Sequence, residues 1–297
     1  MLKDNLFYIA PVHTKGLIFM SRMGTITADQ FMRETGQSKR HTSDLLRKLH
    51  RQKILGRTGG LILDGSGRKP YIYWLTRKGH RYLCNEEGLA EHLGDYRTVQ
   101  PRNRWPLQMD HRLATIDIIQ NLKHGLSAES AGLDHVIVDW QQTKRYGKMR
   151  ASTTDYVSEH FTEANKLVPD ATISVVHPKH KPMLMFIECD RGTENIGGVA
   201  TSSIMRKLEV YDRYFRSRRF VETYKNWHGF SGCSLLFVTT DTKRINSIRA
   251  KTGSLDPGLH DFTLFTTHEF LAKAPLGKIW ATRNQSDKHG YRYDGAR

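Results

Sequence analysis

The stretch that most limits what this chain can fold into lies past its midpoint. Pro182 is followed by five apolar residues, Met183 to Ile187, and then by Glu188-Cys189-Asp190. So apolar a run, opened by proline, reads as a buried strand. Side chains alternate along a strand, so Leu184, Phe186, Glu188 and Asp190 share one face, with the two acids roughly 7 Å apart. Dry carboxylates without a partner cost several kcal/mol. Either the chain surfaces there and the acids are solvated, or something positive meets them. Val168-Pro-Asp-Ala-Thr-Ile-Ser-Val-Val176 reads as a preceding strand with Asp170 at its start, and HPKHKP, 177–182, reads as the hairpin loop between the two. Pairing across that loop brings Asp170 close to Glu188. Oxygen donors of this kind suit Mg²⁺ or Mn²⁺. Asp170, Glu188 and Asp190 are therefore the candidate metal ligands.

Charge points to a polyanionic partner. The 297-residue chain carries a net +16, and residues 1–104 alone hold 19 Lys and Arg against 9 Asp and Glu. Such a surplus suits DNA, but ribosomal and membrane-surface proteins share it. No apolar run approaches a membrane span, and the N-terminus lacks the apolar core of a secretory signal, so a cytoplasmic protein without a membrane partner is expected. Cys84, Cys189 and Cys233 are odd in number and far apart, which suits a reducing compartment and small buried side chains rather than zinc ligands.

The basic first third has a helix-turn-helix pattern. Thr27 and Gln30 form a capping box for a short helix that Gly36 stops. Ser38 caps a second helix, in which Leu45, Leu46 and Leu49 form the apolar stripe. Lys39, Arg40, His41, Arg47 and Lys48 lie off that stripe, either as a solvated face or as a surface for DNA. LILDGSGRKPYIYWLT, 61–76, then reads as two strands around Asp64-Gly65-Ser66-Gly67, with Arg68 and Lys69 at the turn. A recognition helix followed by a hairpin with a basic tip is a winged helix, a module that also binds proteins. A Pro- and Arg-containing connection, 97–106, follows.

From Met109 the pattern changes. Positions 113, 116, 119 and 122 mark a helix face that Gly125 is expected to stop. Strands are expected at 135–140, 168–176, 183–190, 234–240 and 262–266, with helices at 202–216 and 243–251 and a polar loop or excursion over 143–165. The expectation is an α/β fold with a mixed sheet flanked by helices. The boundaries are 1–104 for the winged helix and linker, 105–282 for the second domain, and 283–297 for a flexible tail.

"VPDAT", a hairpin and "FIECD" resemble the PD-(D/E)xK nuclease superfamily. The winged helix followed by HRLATID, VPDA, IECDRGTE and KLEVY is similar to the plasmid replication-relaxation proteins, which are linked with the MOB-C type of conjugative relaxase. This likeness spans about residues 20 to 275. It implies a restriction-endonuclease-like sheet and a metal-dependent DNA-nicking or -cleaving endonuclease acting at a plasmid origin of replication or transfer. Mg²⁺ or Mn²⁺ would be held by Asp170, Glu188 and Asp190. The pattern's lysine should stand at position 190, where this chain has Asp190. Lys207, on the following helix, can replace it in space, with Tyr211 one turn later on the same side.

Other relaxases attack with a tyrosine, which makes Tyr211 and Tyr214 candidates either for that role or for packing against the sheet. His177 and His180 read as surface residues of the hairpin loop, and His111 either as a functional group or as a helix cap. The implied partners are duplex DNA at a plasmid origin, a second copy of the chain as a homodimer, and accessory transfer or replication proteins. The competing reading is a non-catalytic DNA-binding replication regulator on a degenerate nuclease fold.

Overall fold

The computed structural model describes residues 10–58, 62–63, 67–85, 96, 109–129, 135–138, 142–145, 148–151, 154–160, 162–177, 180–197, 203–225, 229–252, 262–275 and 277–282. The fold is mixed α/β. The chain forms two compact units, 1–116 and 117–297. The connection at 97–106, the turn residues 64–66 and the tail 283–297 lie outside the described residues, as does the Arg68 side chain.

The first unit opens with helix α1, Pro11–Met23, which sequence periodicity does not reveal. Strand β1, Ile26–Thr27, leads into α2, Ala28–Thr35, and α3, Lys39–Arg51. Thr27 Oγ1 accepts from Gln30 N at 3.2 Å, and Gln30 Oε1 accepts from Thr27 N at 3.0 Å, which closes the capping box. Gly36 ends α2 at φ 68°, a backbone state that side chains with a Cβ resist. Ser38 accepts from His41 N and so starts α3. Strands β2, Leu55–Thr58, β3, Ile62–Leu63, β4, Gly67–Arg68, and β5, Ile72–Leu75, form one antiparallel excursion. β5 pairs with both β1 and β2. Leu17, Met20, Phe31, Leu46, Leu49 and Ile72 are fully buried and form the core. Helix α4, Arg77–Asn85, follows.

Helix α5, Met109–Glu129, runs past Gly125. A helical glycine costs about 1 kcal/mol relative to alanine but does not by itself stop a helix. In and beside the expected excursion, 143–165, stand short antiparallel pairs: β7, Gln142–Arg145, with β8, Lys148–Ala151, and β9, Asp155–Tyr156, with β10, Lys166–Leu167.

The second unit is built on a six-stranded sheet. In spatial order it runs β15, Ala281–Thr282; β14, Thr263–Thr267; β13, Cys233–Thr239; β12, His180–Cys189; β11, Ala171–His177; and β6, His135–Val138. β12, β13 and β14 are parallel, and the other pairs are antiparallel. Helices α6, Ile204–Ser217, and α7, Arg219–Thr223, connect β12 to β13. Helix α8, Thr242–Thr252, connects β13 to β14, and α9, His268–Lys273, follows β14.

The β11–β12 ladder extends to His177 and His180, so the expected six-residue loop is largely strand. Backbone pairing continues past the apolar core because the ladder itself asks nothing of the side chains there. The register continues from the Ala171–Ile187 pair, with Asp170 N donating to Ile187 O at 3.0 Å, and sets Asp170 beside Glu188. On this face Leu184, Phe186, Leu235, Phe237 and Phe265 meet Leu208, Tyr211, Tyr214 and Phe215 of α6 in one apolar cluster.

Candidate functional site

The apolar face ends in charge. Phe186 packs at a tilt against the ring of Tyr211, centroids 5.9 Å apart, and two residues on, next on the same face, is Glu188, only 2 % exposed. Helix α6 is capped by Ser203, whose Oγ accepts from Arg206 N, and this sets its phase. Lys207 and Tyr211, one turn apart, then lean toward the same strand end. Lys207 Nζ donates to Glu188 Oε2 at 3.0 Å, and the Tyr211 hydroxyl donates to Glu188 Oε1 at 2.6 Å. The Asp170 carboxylate stands alongside, its Oδ2 accepting from Cys189 N at 2.8 Å. The structure thus gathers Asp170, Glu188, Lys207 and Tyr211.

Burial pushes the Glu188 carboxyl up to about 7; the ammonium of Lys207 pulls it back, and the charge of Asp170 raises it again. Lys207 is itself held above the ordinary lysine value. Burial opposes its charge, but Glu188, Asp170 and Glu194 more than offset that cost. Two acceptors lie within hydrogen-bond distance of its ammonium, and the donors Lys207 and Tyr211 draw the Glu188 carboxyl only part of the way back down. Burial and the neighbouring Glu188 push the Tyr211 hydroxyl well above its ordinary value.

Asp190 behaves differently. It follows the end of β12 and is 1 % exposed. Its Oδ2 accepts from Arg244 Nε at 2.8 Å and from Thr239 Oγ1 at 2.9 Å. Its Oδ1 accepts from Gly192 N at 2.9 Å and from Arg244 Nη2 at 3.3 Å. The sequence expectation had Asp190 sharing a cation with Asp170 and Glu188. Instead, a guanidinium from α8 neutralises it, and both its oxygens are taken.

Two participants have no signal in strand periodicity. Glu194, in the loop after β12, accepts from Lys207 Nζ through Oε1 at 2.8 Å, while its Oε2 is buried and has no hydrogen-bond partner among the described residues. Arg244 also donates to the Glu194 carbonyl, so it braces that loop from its other side. Gly192, at φ 75°, allows the sharp turn between Asp190 and Glu194. The spacing IECDRGTE contains both acids, but only the folded loop shows which cation each meets.

Among the described residues, no group of three or more His, Cys, Asp or Glu is arranged to hold a metal ion. Mg²⁺ is commonly held by only one or two carboxylates, with water and substrate phosphate completing the shell. Asp170 and Glu188 fit that smaller requirement. The four acids Asp170, Glu188, Asp190 and Glu194, set against Lys207 and Arg244, leave a formal −2, the charge a divalent cation balances.

The tyrosines lie deep. Tyr211 and Tyr214 are both 0 % exposed, and the Tyr214 hydroxyl donates to buried Asp155 at 3.0 Å rather than toward Glu188. Neither presents a hydroxyl at the surface. Thr115 Oγ1 donates to the His111 carbonyl at 3.0 Å. The side chains of His177 and His180 lie outside what is described. Cys189 and Cys233 are buried and Cys84 is half-buried, all as free thiols.

In the first unit, Lys39, Arg40, His41, Arg47 and Lys48 are all exposed along α3. Arg47 meets Asp44 at 3.0 Å, and His41 Nε2 lies 3.0 Å from His13 Nε2. Lys69 is half-buried against Asp110 at 3.2 Å, which engages a charge expected at a basic hairpin tip. No described helix is long and apolar enough to cross a membrane.

Residues 17–228 match a family model described as replication-relaxation. The match spans α1 to α7 and includes Asp170, Glu188, Asp190, Glu194, Lys207 and Tyr211, but ends before Arg244. No curated protein and no solved structure matches the chain.

Proposed function

The chain belongs to the replication-relaxation family, and from that premise we propose that it is a divalent-metal-dependent DNA endonuclease that nicks plasmid DNA at an origin of replication or transfer. One observation carries the reading: Lys207 Nζ, delivered from a helix, stands 3.0 Å from Glu188 Oε2. A lysine beside a Glu and an Asp at the end of paired strands supports a PD-(D/E)xK-like reading, in which the lysine has moved from position 190 to α6.

The first unit reads as a winged helix. Its helix α3 would lie in the major groove, with Lys39, Arg40, His41, Arg47 and Lys48 on phosphates and base edges. The β2–β5 excursion, carrying Arg68 and Lys69, would be the wing. At the acid site, Asp170 and Glu188 would hold Mg²⁺ or Mn²⁺. The bound metal would supply Lewis acidity and lower the pKa of a coordinated water. Lys207 orients the nucleophile and offsets charge on the phosphate. Tyr211 keeps Glu188 turned toward the site, as a positioning residue. Asp190 and Arg244 brace the adjoining loop.

The same geometry gives a specific ground for the competing reading, a DNA-binding replication regulator without catalysis. Glu188 is 2 % exposed, and both its oxygens are engaged within the protein. One assay separates the two. Supercoiled plasmid is incubated with the full chain in Mg²⁺ and in Mn²⁺. Conversion to open circles, lost in Asp170→Ala and Glu188→Gln while DNA binding persists, supports the nuclease. Binding without nicking in both metals supports the regulator.

A further inference from the structure

We propose that Glu194 is a positioning residue that takes over Lys207 when a cation occupies Glu188; the inference rests on the nuclease reading above. The Lys207 ammonium is shared, at 3.0 Å from Glu188 Oε2 and 2.8 Å from Glu194 Oε1. A cation arriving at Glu188 Oε2 competes with that ammonium for the oxygen. An ammonium left without an acceptor in a half-buried place would resist the exchange. Glu194 removes the obstacle. Its second oxygen, Oε2, is buried and receives no hydrogen bond from the described residues. Lys207 has three donors, and its Nζ already lies 2.8 Å from the other oxygen of the same carboxylate, so a donor released by Glu188 has an acceptor beside it.

The loop that carries Glu194 is built to stay in place during the exchange. Arg244 donates to the Glu194 carbonyl and holds the Asp190 carboxylate at 2.8 Å. Asp190 in turn receives Gly192 N and the Thr239 hydroxyl, each at 2.9 Å. The carboxylate that waits for Lys207 is therefore anchored through residues that do not touch Lys207. An ion pair serving stability alone would not need an anchored loop with one carboxylate oxygen kept dry and unmatched, because unmatched buried acceptors are unfavourable.

The test is Mn²⁺ alone, titrated by calorimetry into the full chain without DNA. The set is wild type, Glu194→Gln, Lys207→Met, the double variant and Glu188→Gln, with thermal unfolding as the control for folding. Glutamine has nearly the shape of Glu194, so Glu194→Gln is expected to fold as wild type does. Should it not, Glu194→Asp, which keeps the charge and shortens the reach, is read in its place. The expectation is that Glu194→Gln weakens Mn²⁺ binding by at least about fivefold, the low end of coupling between linked sites. Lys207→Met should tighten it by removing the competing ammonium. In the Lys207→Met background, Glu194→Gln should change nothing beyond about twofold, because Glu194 then has no ammonium to receive. No effect in the wild-type background, or an equal effect in both backgrounds, overturns the proposal. If wild type shows no Mn²⁺ binding that Glu188→Gln removes, the metal-dependent reading itself falls, and this inference falls with it.

Discussion

Helix α3 and the end of strand β12 handle charge in opposite ways. Along α3 the cations Lys39, Arg40, Arg47 and Lys48 point into solvent, while Leu45, Leu46 and Leu49 are buried behind them. Their charge is hydrated in the folded and unfolded chain alike, so it weighs little on stability and is open to a polyanion. At the end of β12, Glu188 and Asp190 are 2 % and 1 % exposed, and each is matched by a cation from a helix that comes later in the chain. Charge of the first kind can be changed with little effect on the fold. Charge of the second kind holds the fold, because removing either partner strands the other in a dry place.

The largest expected effect tests that contrast directly. Arg244→Ala leaves Asp190 buried with only a hydroxyl and an amide for partners. It should cost about 3–5 kcal/mol in urea unfolding, the range for breaking a buried pair. Replacing both residues with apolar ones should restore most of that loss. A cost below about 0.5 kcal/mol for Arg244→Ala would place Asp190 with the exposed charges of α3, and the contrast would collapse.

Next in size is the pH response of Glu188. Its carboxyl is raised to about 7, chiefly by burial. A raised acid contributes its full stability below the unfolded value of 4.5 and loses it as pH rises through about 7. Lys207 is charged across that whole window. Wild type should therefore lose stability relative to Glu188→Gln between those pH values, on the order of 2 kcal/mol. Parallel pH profiles for the two proteins, followed by thermal unfolding, would show that Glu188 is already fully charged in the fold.

How far each region can be read from sequence follows the same division. The capping box at Thr27 and Gln30, the stop at Gly36 and the apolar stripe of α3 depend on residues within a few positions, so local rules reach them. Strand alternation puts Glu188 and Asp190 on the helix-covered face, and helical spacing puts Lys207 and Tyr211 over Glu188. The partner of Asp190 is out of reach of such rules. Arg244 is 54 positions away, and only the parallel pairing of β12 with β13 and the turn into α8 bring it round. Glu194 stands in a turn where no periodicity applies. The hairpin at 177–182 misleads because its polar residues look like a loop while their backbones continue the ladder.

A medium effect is expected at the start of α2. Thr27→Ala removes one half of the reciprocal cap and should cost about 1 kcal/mol, measured by thermal unfolding. Thr27→Ser keeps the oxygen and should recover nearly all of it. That result would show that the cap, a local device, gives the first unit more stability than any single α3 charge does.

The smallest expected change in stability is on α3 itself, and there the comparison is sharpest. Arg40→Gln and Arg47→Gln should each leave unfolding within about 0.5 kcal/mol of wild type, as exposed substitutions do. The Arg47 pair with Asp44 does not alter this, because more than half of each side chain is exposed and such pairs contribute little. Duplex DNA should respond where stability does not. Each lost phosphate contact lowers the slope of log affinity against log salt by about 1, so binding titrations at several salt concentrations read the two positions separately. A drop in slope at unchanged stability identifies α3 as the DNA-contacting surface. A normal slope in both variants makes the face a solvated one and moves the search for DNA contacts to other basic residues of the chain.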